Sequence, residues 1–236
     1  MSLLSWINPD KLKWWCLSEN PNAIKMLEAN PDKINKCYIS MNTNAIHLLE
    51  ENHEYIFSFS LCTNPNAIHL IEKLPVEKLH WYNLCKNPSA MHIIQAYPER
   101  IVWATLSANP SAIPFLRANF DKIVWNYLCT NPSAIELLEE NPDKIDWKYI
   151  CLNPNAMHLI KANPDKIVEW CWSFLSRNPS PLAIEMLEMN PHLIDWVGLS
   201  SNPSAMALLE ANQDLISWSA LSKNPSIFAQ PDYVLK

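Results

Sequence analysis

An Asn-Pro dipeptide returns about every 22 residues, and this period restricts the fold more than any other feature of the sequence. The dipeptide usually precedes Ser or Asn and then Ala, and three of the intervals carry one to three extra residues. A fixed period of this length is typical of repeat proteins, whose units are too small to fold alone and stack on their neighbours. The ten units begin at Asn20, Asn42, Asn64, Asn87, Asn109, Asn131, Asn153, Asn178, Asn202 and Asn224.

A second motif divides each unit into two halves of about ten residues, as Asn141-Pro142-Asp143-Lys144 does in the unit that begins at Asn131. Asn is a favoured N-cap, Pro is favoured at the first helical position, and a residue before Pro avoids the α region. Each Asn-Pro is therefore predicted to end one helix and begin the next. Apolar residues in both halves follow helical spacing, and the first turn of the second half also fits a 3₁₀ turn.

These patterns predict an all-α fold, an α-solenoid of about ten 22-residue helix-pair repeats. We expect one domain over residues 1–236, with 1–7 and 226–236 as terminal caps. Leucine-rich repeats have a similar period, and the segment Trp103–Asn109 resembles their strand. The proline after Asn, the absence of period-2 alternation and the two helix caps per unit oppose that alternative.

Tryptophan recurs at one position in the second half of eight units. Large aromatic side chains dominate burial in small repeats, so we interpret this row as a core ladder. The alternative is an exposed stripe that stacks on bases or grips peptides. The row consists of Trp14, Trp81, Trp103, Trp125, Trp147, Trp172, Trp196 and Trp218.

Four residues after the tryptophan position, every unit has Ser or Cys. The cysteines at this position are 22 or more residues apart and the chain has no CxxC motif, which opposes a metal site or a disulfide framework. We interpret the position as one that admits only small side chains in close packing. The seven cysteines of the chain then fit a reducing compartment.

Histidine and glutamate form two neighbouring rows in the first halves. Adjacent units are expected about 9 Å apart, too far for histidines of successive units to share a metal ion. Both rows are therefore predicted to be solvated ridges, and a partner of the glutamate row would be basic. The histidine row consists of His47, His69, His92 and His158, and the glutamate row includes Glu28, Glu50, Glu72, Glu139, Glu188 and Glu210.

No catalytic, cofactor-binding or metal-binding motif is present, so we expect a protein that is not an enzyme and holds no cofactor. The net charge of -6 makes nucleic acid an improbable partner, and no apolar run is long enough to span a membrane. The largest departures from the period are the added residues at 168–171 and at Pro181-Leu182, where we expect an irregular surface.

The pattern NPxAIxLLExNPDKIDWxxLSxNP resembles the short helical repeats of proteins from giant DNA viruses of the mimivirus-like group. The resemblance extends from Asn8 to Lys236 and departs at Asn42-Thr43, Phe120, Gln213 and residues 169–172. It implies a virus-encoded protein located in the cytoplasm or virus factory of the host cell, and it supplies no catalytic residues.

The sequence thus favours a protein-interaction scaffold that binds a protein or an extended peptide along one face of the solenoid. One alternative is modular single-stranded RNA binding, one base per repeat. Another is a structural component of a viral assembly. We expect the partner to contact the histidine row together with the variable residues before Asn-Pro, namely Met41, Thr63, Lys86, Thr130, Leu152 and Arg177.

Overall fold

The structure is a computed structural model, and it describes residues 2–229. Within these residues it contains 19 α-helices and 16 short 3₁₀ helices and no β-strand, so the predicted all-α repeat fold is confirmed. One isolated antiparallel bridge joins Leu3 and Phe228. The α-helices contain four to nine residues, fewer than the ten predicted for most halves.

Each full repeat contains a first α-helix, which follows the Asn-Pro-x-Ala motif, and a second α-helix at the tryptophan position. The first helices are α2 (Ile24–Glu28), α4 (Ile46–Glu51), α6 (Ile68–Ile71), α8 (Met91–Ala96), α10 (Ile113–Ala118), α12 (Ile135–Glu139), α14 (Met157–Ala162), α16 (Pro181–Met189) and α18 (Met206–Ala211). The second helices are α1 (Trp14–Leu17), α3 (Lys36–Ile39), α5 (Ser58–Leu61), α7 (Trp81–Leu84), α9 (Trp103–Ser107), α11 (Trp125–Cys129), α13 (Trp147–Ile150), α15 (Glu169–Leu175), α17 (Trp196–Ser200) and α19 (Trp218–Lys223).

The helices are short because a 3₁₀ turn occupies the start of most halves. In the second half, residues after this turn, such as Ile145 and Asp146, are extended and delay the second helix. The turns of the first halves are Pro21–Ala23, Pro65–Ala67, Pro88–Ala90, Pro110–Ala112, Pro154–Ala156 and Pro225–Ile227. Those of the second halves are Pro9–Lys11, Pro31–Lys33, His53–Tyr55, Val76–Lys78, Pro98–Arg100, Phe120–Lys122, Pro142–Lys144, Pro164–Lys166, Pro191–Leu193 and Gln213–Leu215.

The asparagine that begins each repeat is buried and joins the repeat to the preceding one. In Asn131, Oδ1 accepts the N–H of Ser133 and so caps its own turn, as predicted. Its Nδ2 also donates to the carbonyls of Ser107 (3.0 Å) and Asn109 (2.8 Å) in the preceding repeat. The same pair of donated bonds is made by Asn20, Asn42, Asn87, Asn109, Asn153, Asn178 and Asn224.

The second asparagine of the repeat behaves differently in most repeats, although Asn8 Oδ1 does accept the N–H of Asp10. Asn141 makes no side-chain capping bond to the turn that follows it, and its Nδ2 donates backwards to the carbonyl of Leu137 at 2.9 Å. It therefore ends the first helix, and the prediction that it also caps the next helix is wrong. Proline alone initiates that turn.

The small side chains near the end of the second helix are buried, and they also make hydrogen bonds. Ser107 Oγ donates to the carbonyl of Trp103 (2.8 Å) and accepts the N–H of Val124 in the next repeat (3.0 Å). Cysteine replaces serine in this role, since Cys129 Sγ accepts the N–H of Asp146 at 3.3 Å. The position thus requires a small side chain that can accept a hydrogen bond.

The fully buried core consists of aliphatic rows. The tryptophans Trp81, Trp103, Trp125, Trp147, Trp196 and Trp218, interpreted above as a core ladder, are half-buried and flank these rows. Trp103, for example, stacks on Phe115 of the next repeat with ring centroids 5.8 Å apart. The second helices contribute to the core Leu17, Ile39, Leu61, Leu84, Leu106, Leu128, Ile150, Leu175, Leu199 and Leu221, all 0% exposed.

Tertiary contacts divide the chain into two compact units. Unit 1 comprises Met1–Phe57 and Trp196–Lys236, and unit 2 is Ser58–Asp195. In unit 1 the described parts of the two predicted caps lie together, because Leu4 N–H donates to the carbonyl of Ile227 and Ala229 N–H to that of Ser2. Residues 2–19 and 224–229 together complete a tenth repeat from both termini.

Candidate interaction face

The six variable residues before Asn-Pro lie at the ends of second helices, where they are half-buried or exposed. Several are engaged locally: Thr63 and Thr130 each donate Oγ1 to a carbonyl three residues earlier, at 2.8 Å. Arg177 donates to the Ser173 carbonyl (2.7 Å) and pairs with Asp195 (3.0 Å). Met41 and Leu152 are half-buried, and Lys86 is exposed.

The histidine row lies on the first helices, whereas these six residues lie at the ends of second helices. His47, His92 and His158 each pair with a glutamate of the preceding repeat: the Nε2–Oε1 distances are 2.8 Å to Glu28, 2.8 Å to Glu72 and 2.9 Å to Glu139. His69 is also engaged in an interaction. At these three junctions the two predicted ridges are joined by exposed inter-repeat pairs.

Arg117 reverses the polarity of this series. It occupies the glutamate position and pairs with Glu136, at the histidine position of the next repeat, at 3.2 Å. It also binds Glu140 through two guanidinium nitrogens, at 2.7 and 3.0 Å. The hydrogen bond from Arg117 lowers the pKa of Glu140, and burial opposes this shift. A cation and an anion have exchanged places while the contact between repeats is kept.

Aromatic side chains lie on the second helices one and two residues after the tryptophan position, and Trp170 lies two residues before it. We call this surface of unit 2 the aromatic face. Phe59, Tyr82 and Trp170 are 54%, 42% and 68% exposed. Lys86 lies 4.8 Å from the ring centroid of Tyr82. The face consists of Phe59, Tyr82, Lys86, Tyr127, Lys148, Tyr149, Trp170 and Phe174.

Tyr82 and Tyr127 meet across an intervening repeat. They lie two repeats apart, and a hydrogen bond with Tyr82 raises the pKa of Tyr127. In the intervening repeat, the residues that correspond to Tyr82 and Lys86 are Ala104 and Ala108. Their small side chains leave space for this contact. The two side chains are therefore close enough to interact on the aromatic face.

The three residues added near 168–171 build an extra helical turn at the edge of the aromatic face, as the break in the period predicted. Helix α15 begins at Glu169, before its tryptophan position at Trp172, and is the longest second helix among the described residues. Trp170 lies on the added turn. Beside it is an open cavity of about 340 Å³, lined by Lys148, Glu169, Trp170, Ser173 and Phe174.

Lys148 forms one wall of this cavity. Its Nζ lies 5.6 Å from the ring centroid of Tyr149 and 5.4 Å from that of Phe174, within the range of cation–π attraction. The two rings pack edge to face with centroids 5.6 Å apart. The contacts hold the walls in place and leave the indole of Trp170 largely uncovered.

Charge is distributed unequally between the two kinds of helix. The first halves, from each initial Asn to the end of its first helix, contain eight Asp and Glu against three Lys and Arg. The second-helix segments, from the residue before each tryptophan position to the residue before Asn-Pro, contain three acidic and six basic residues. The acidic character of the chain thus lies mainly on the first helices, and the aromatic face is close to neutral.

In residues 2–229, no group of three or more His, Cys, Asp or Glu is placed to hold a metal ion. No helix in this part of the chain is long and apolar enough to cross a membrane. Comparison with protein-family models, with curated proteins and with solved structures finds no match. The resemblance to giant-virus repeats therefore stays a prediction.

Proposed function

We propose that this chain is a non-enzymatic interaction module that binds an extended peptide segment of a partner protein on the aromatic face. The observation that carries the proposal is the exposure of Trp170 beside an open cavity, at the place where the repeat is interrupted. Exposed Trp and Tyr are the residues that dominate binding free energy at interfaces, because they bury a large area and lose little side-chain entropy.

The cavity and the charge of the face support a peptide as the ligand. An open cavity admits a side chain of a peptide segment more readily than a flat surface does. The near-neutral balance of charges favours a segment with apolar anchors. At the cavity, Lys148 can pair with an anionic group of the segment and Glu169 with a cationic one. In this proposal the first helices do not bind the peptide. Their ion pairs between repeats stabilise the stack.

A displayed random-peptide library tests the proposal. Peptides enriched on the wild-type chain are synthesised, and their affinity is measured by calorimetry for the wild type and for Trp170→Ala. Loss of a central aromatic anchor is expected to weaken binding at least about 10-fold. Met189→Ala is the matched control, since Met189 is 73% exposed but lies on first helix α16. Equal effects of the two substitutions, or no enriched peptide, would contradict the proposal.

Single-stranded RNA is the second candidate, because lysines accompany stacked rings on the aromatic face at Lys86 and Lys148. Rings that stack on bases and cations that follow the backbone are the elements of sequence-tolerant RNA binding. Mixed-sequence RNA of about 20 nucleotides at low salt is the probe. Binding that Trp170→Ala weakens and that falls steeply with salt would favour RNA over peptide. A role in viral assembly would instead appear as stable oligomers in light scattering.

A further inference from the structure

The repeat that carries the added turn also breaks the regular hydrogen bonding of the small side chains. At most junctions the Ser or Cys side chain near the end of a second helix accepts an N–H from the residue before the next tryptophan position. Cys151 occupies this position before the added turn, and the residue that should donate to it is Cys171. The N–H of Cys171 instead donates to the carbonyl of Val168 (2.9 Å) within the turn of α15.

The thiol of Cys171 takes the place of the missing donor. Cys151 Sγ donates to the carbonyl oxygen of Trp147 at 3.2 Å, and Cys171 Sγ lies 3.6 Å from the same oxygen. Two sulfur atoms that share one carbonyl in this way lie side by side between adjacent second helices. Both residues are 0% exposed, and both are reduced in this structure.

The environment of the Cys151 thiol keeps it protonated. Burial raises the pKa of Cys151, and the neighbouring Cys171 thiol, which also hydrogen-bonds to it, raises that pKa further. Thiolates are the reactive form of cysteine, so the pair resists oxidation while the repeat is closed. Reaction requires a small oxidant that enters during local opening of the junction.

We propose that Cys151 and Cys171 form a modification site, an intrachain disulfide that a two-electron oxidant of the peroxide class generates. The thiolate of one cysteine attacks a peroxide oxygen, the O–O bond breaks, and a sulfenic acid and one water form. The second thiol attacks the sulfenic sulfur, the S–O bond breaks, and a second water leaves. The pair loses two protons and two electrons, and hydrogen peroxide is reduced to two waters.

The disulfide would join helices α13 and α15 on either side of the added turn. It would close a loop of about 20 residues, which restricts the unfolded chain and raises the melting temperature. Cys85 and Cys129, at the same repeat position as Cys151, each accept a backbone N–H instead. The site therefore belongs to the interrupted repeat and is independent of any ligand on the aromatic face.

Peptide mapping after oxidation tests the proposal. The folded chain is treated with hydrogen peroxide, the remaining thiols are alkylated in denaturant, and the chain is digested with trypsin without reduction. Peptide 149–161 contains Cys151 and peptide 167–177 contains Cys171. We expect these two peptides to be recovered as one linked species, with a melting temperature raised on the order of 5 °C and restored by dithiothreitol.

Two variants make the result decisive. Cys129→Ser should leave the linked species unchanged, because the Cys129 thiol contacts a backbone N–H. Cys171→Ser should abolish the link and leave Cys151 free for alkylation, and circular dichroism verifies that this variant is folded. If both cysteines are recovered alkylated after methionines have been oxidised, or if either is linked to a different cysteine, the proposal is wrong.

Discussion

The junction between the last and the first repeat can be compared with an internal junction of unit 1. At the internal junction, Asn42 Nδ2 donates to the carbonyls of Ser18 (3.0 Å) and Asn20 (2.8 Å). At the terminal junction, Asn20 Nδ2 donates to those of Ser222 (3.0 Å) and Asn224 (2.9 Å). More than 200 residues of chain separate the partners in the second case, yet the hydrogen bonds are the same.

The other contacts at the two junctions also correspond. Ser18 Oγ accepts the N–H of Asn35, and Ser222 Oγ accepts that of Lys13, both at 2.9 Å. Stacking of repeats therefore does not depend on a short covalent connection between them. It depends on hydrogen bonds between neighbouring repeats. These are made by the side-chain amide of the initial asparagine to backbone carbonyls, and by the Ser or Cys side chain near the end of the second helix. Lysine lies over the preceding indole at both junctions, Lys33 over Trp14 at 4.5 Å and Lys11 over Trp218 at 4.9 Å.

The largest effect is expected from removing the asparagine at each junction. Asn42→Ala and Asn20→Ala each delete three hydrogen bonds and leave buried carbonyls unpaired, so each should lower the free energy of unfolding by about 3 kcal/mol. Urea denaturation measures the change. Asn30→Ala is the control, since Asn30 donates one bond to Met26 O, and should cost about 1 kcal/mol.

The costs of Asn20→Ala and Asn42→Ala in unfolding free energy show whether the terminal and internal junctions are equally strong. If Asn20→Ala costs no more than Asn30→Ala while Asn42→Ala is costly, the terminal junction is not formed in solution. Equal costs for Asn20 and Asn42 would show that the two junctions are energetically alike.

The next effect is expected at the small side chains. Ser222→Ala removes the acceptor of the Lys13 N–H, and Ser18→Ala removes that of the Asn35 N–H. An unpaired backbone N–H at a part-buried site should cost about 1 to 2 kcal/mol in urea denaturation. Ser222→Cys is the matched control, because cysteine occupies this position in other repeats, and it should recover more than half of the loss. Equal losses for alanine and cysteine would mean that hydrogen bonding at this position is unimportant.

A circular permutant should change stability less. Ala229 N–H donates to Ser2 O at 2.8 Å, so a short Gly-Ser linker can join these residues. New termini between the exposed residues Glu99 and Arg100 should give a cooperatively unfolding helical chain within about 1 kcal/mol of the parent. New termini between the buried residues Leu137 and Leu138 should prevent folding. If the permutant with new termini between Glu99 and Arg100 fails to fold, the contact between the first and last repeats does not form in solution.

The smallest effect concerns an ion pair that only the terminal junction has. Lys223 Nζ lies 3.0 Å from Glu19 Oε1. Partial burial lowers the pKa of Lys223, but the hydrogen bond and charge of Glu19 outweigh it, and the pKa is raised. Because the folded-state pKa exceeds the unfolded value, about 10.4, the stabilisation is complete below that pH and is lost as the pH rises through the folded-state pKa.

Lys223→Gln tests this contribution. The difference in unfolding free energy between the wild type and the variant should be about 0.5 kcal/mol at pH 8 and should vanish in strongly alkaline solution. Comparing the two chains at each pH removes the contribution of the other lysines and tyrosines. A difference that does not change with pH would mean that the variant alters packing instead of the ion pair.

The sequence predicted the all-α repeat fold and its period because those depend on local chemistry. Proline after asparagine breaks helices wherever it occurs, and the apolar spacing is visible in each unit. The capping role of Asn131 was therefore predicted correctly. The backward bond of Asn141 was missed, because the same dipeptide has two geometries that only the surrounding chain distinguishes.

The candidate face was predicted only in part. The break in the period near residue 170 correctly marked an irregular surface. The histidine row was grouped with the variable residues before Asn-Pro, since periodicity gives the position of a residue in its repeat but not the contacts of its side chain. The aromatic residues after the tryptophan position were present in the sequence as a signal, and they were missed because their exact position varies between Tyr82 and Tyr127.

The sequence by itself determined the length of the repeat, the points where helices are interrupted and the small buried positions, because these follow from backbone sterics and from hydrophobic spacing within about 22 residues. The tertiary structure decided which carbonyls each asparagine reaches, that the first repeat lies against the last, and that Cys151 meets Cys171. These contacts depend on how neighbouring helices stack and on which side chains then face each other, and no local preference fixes that geometry.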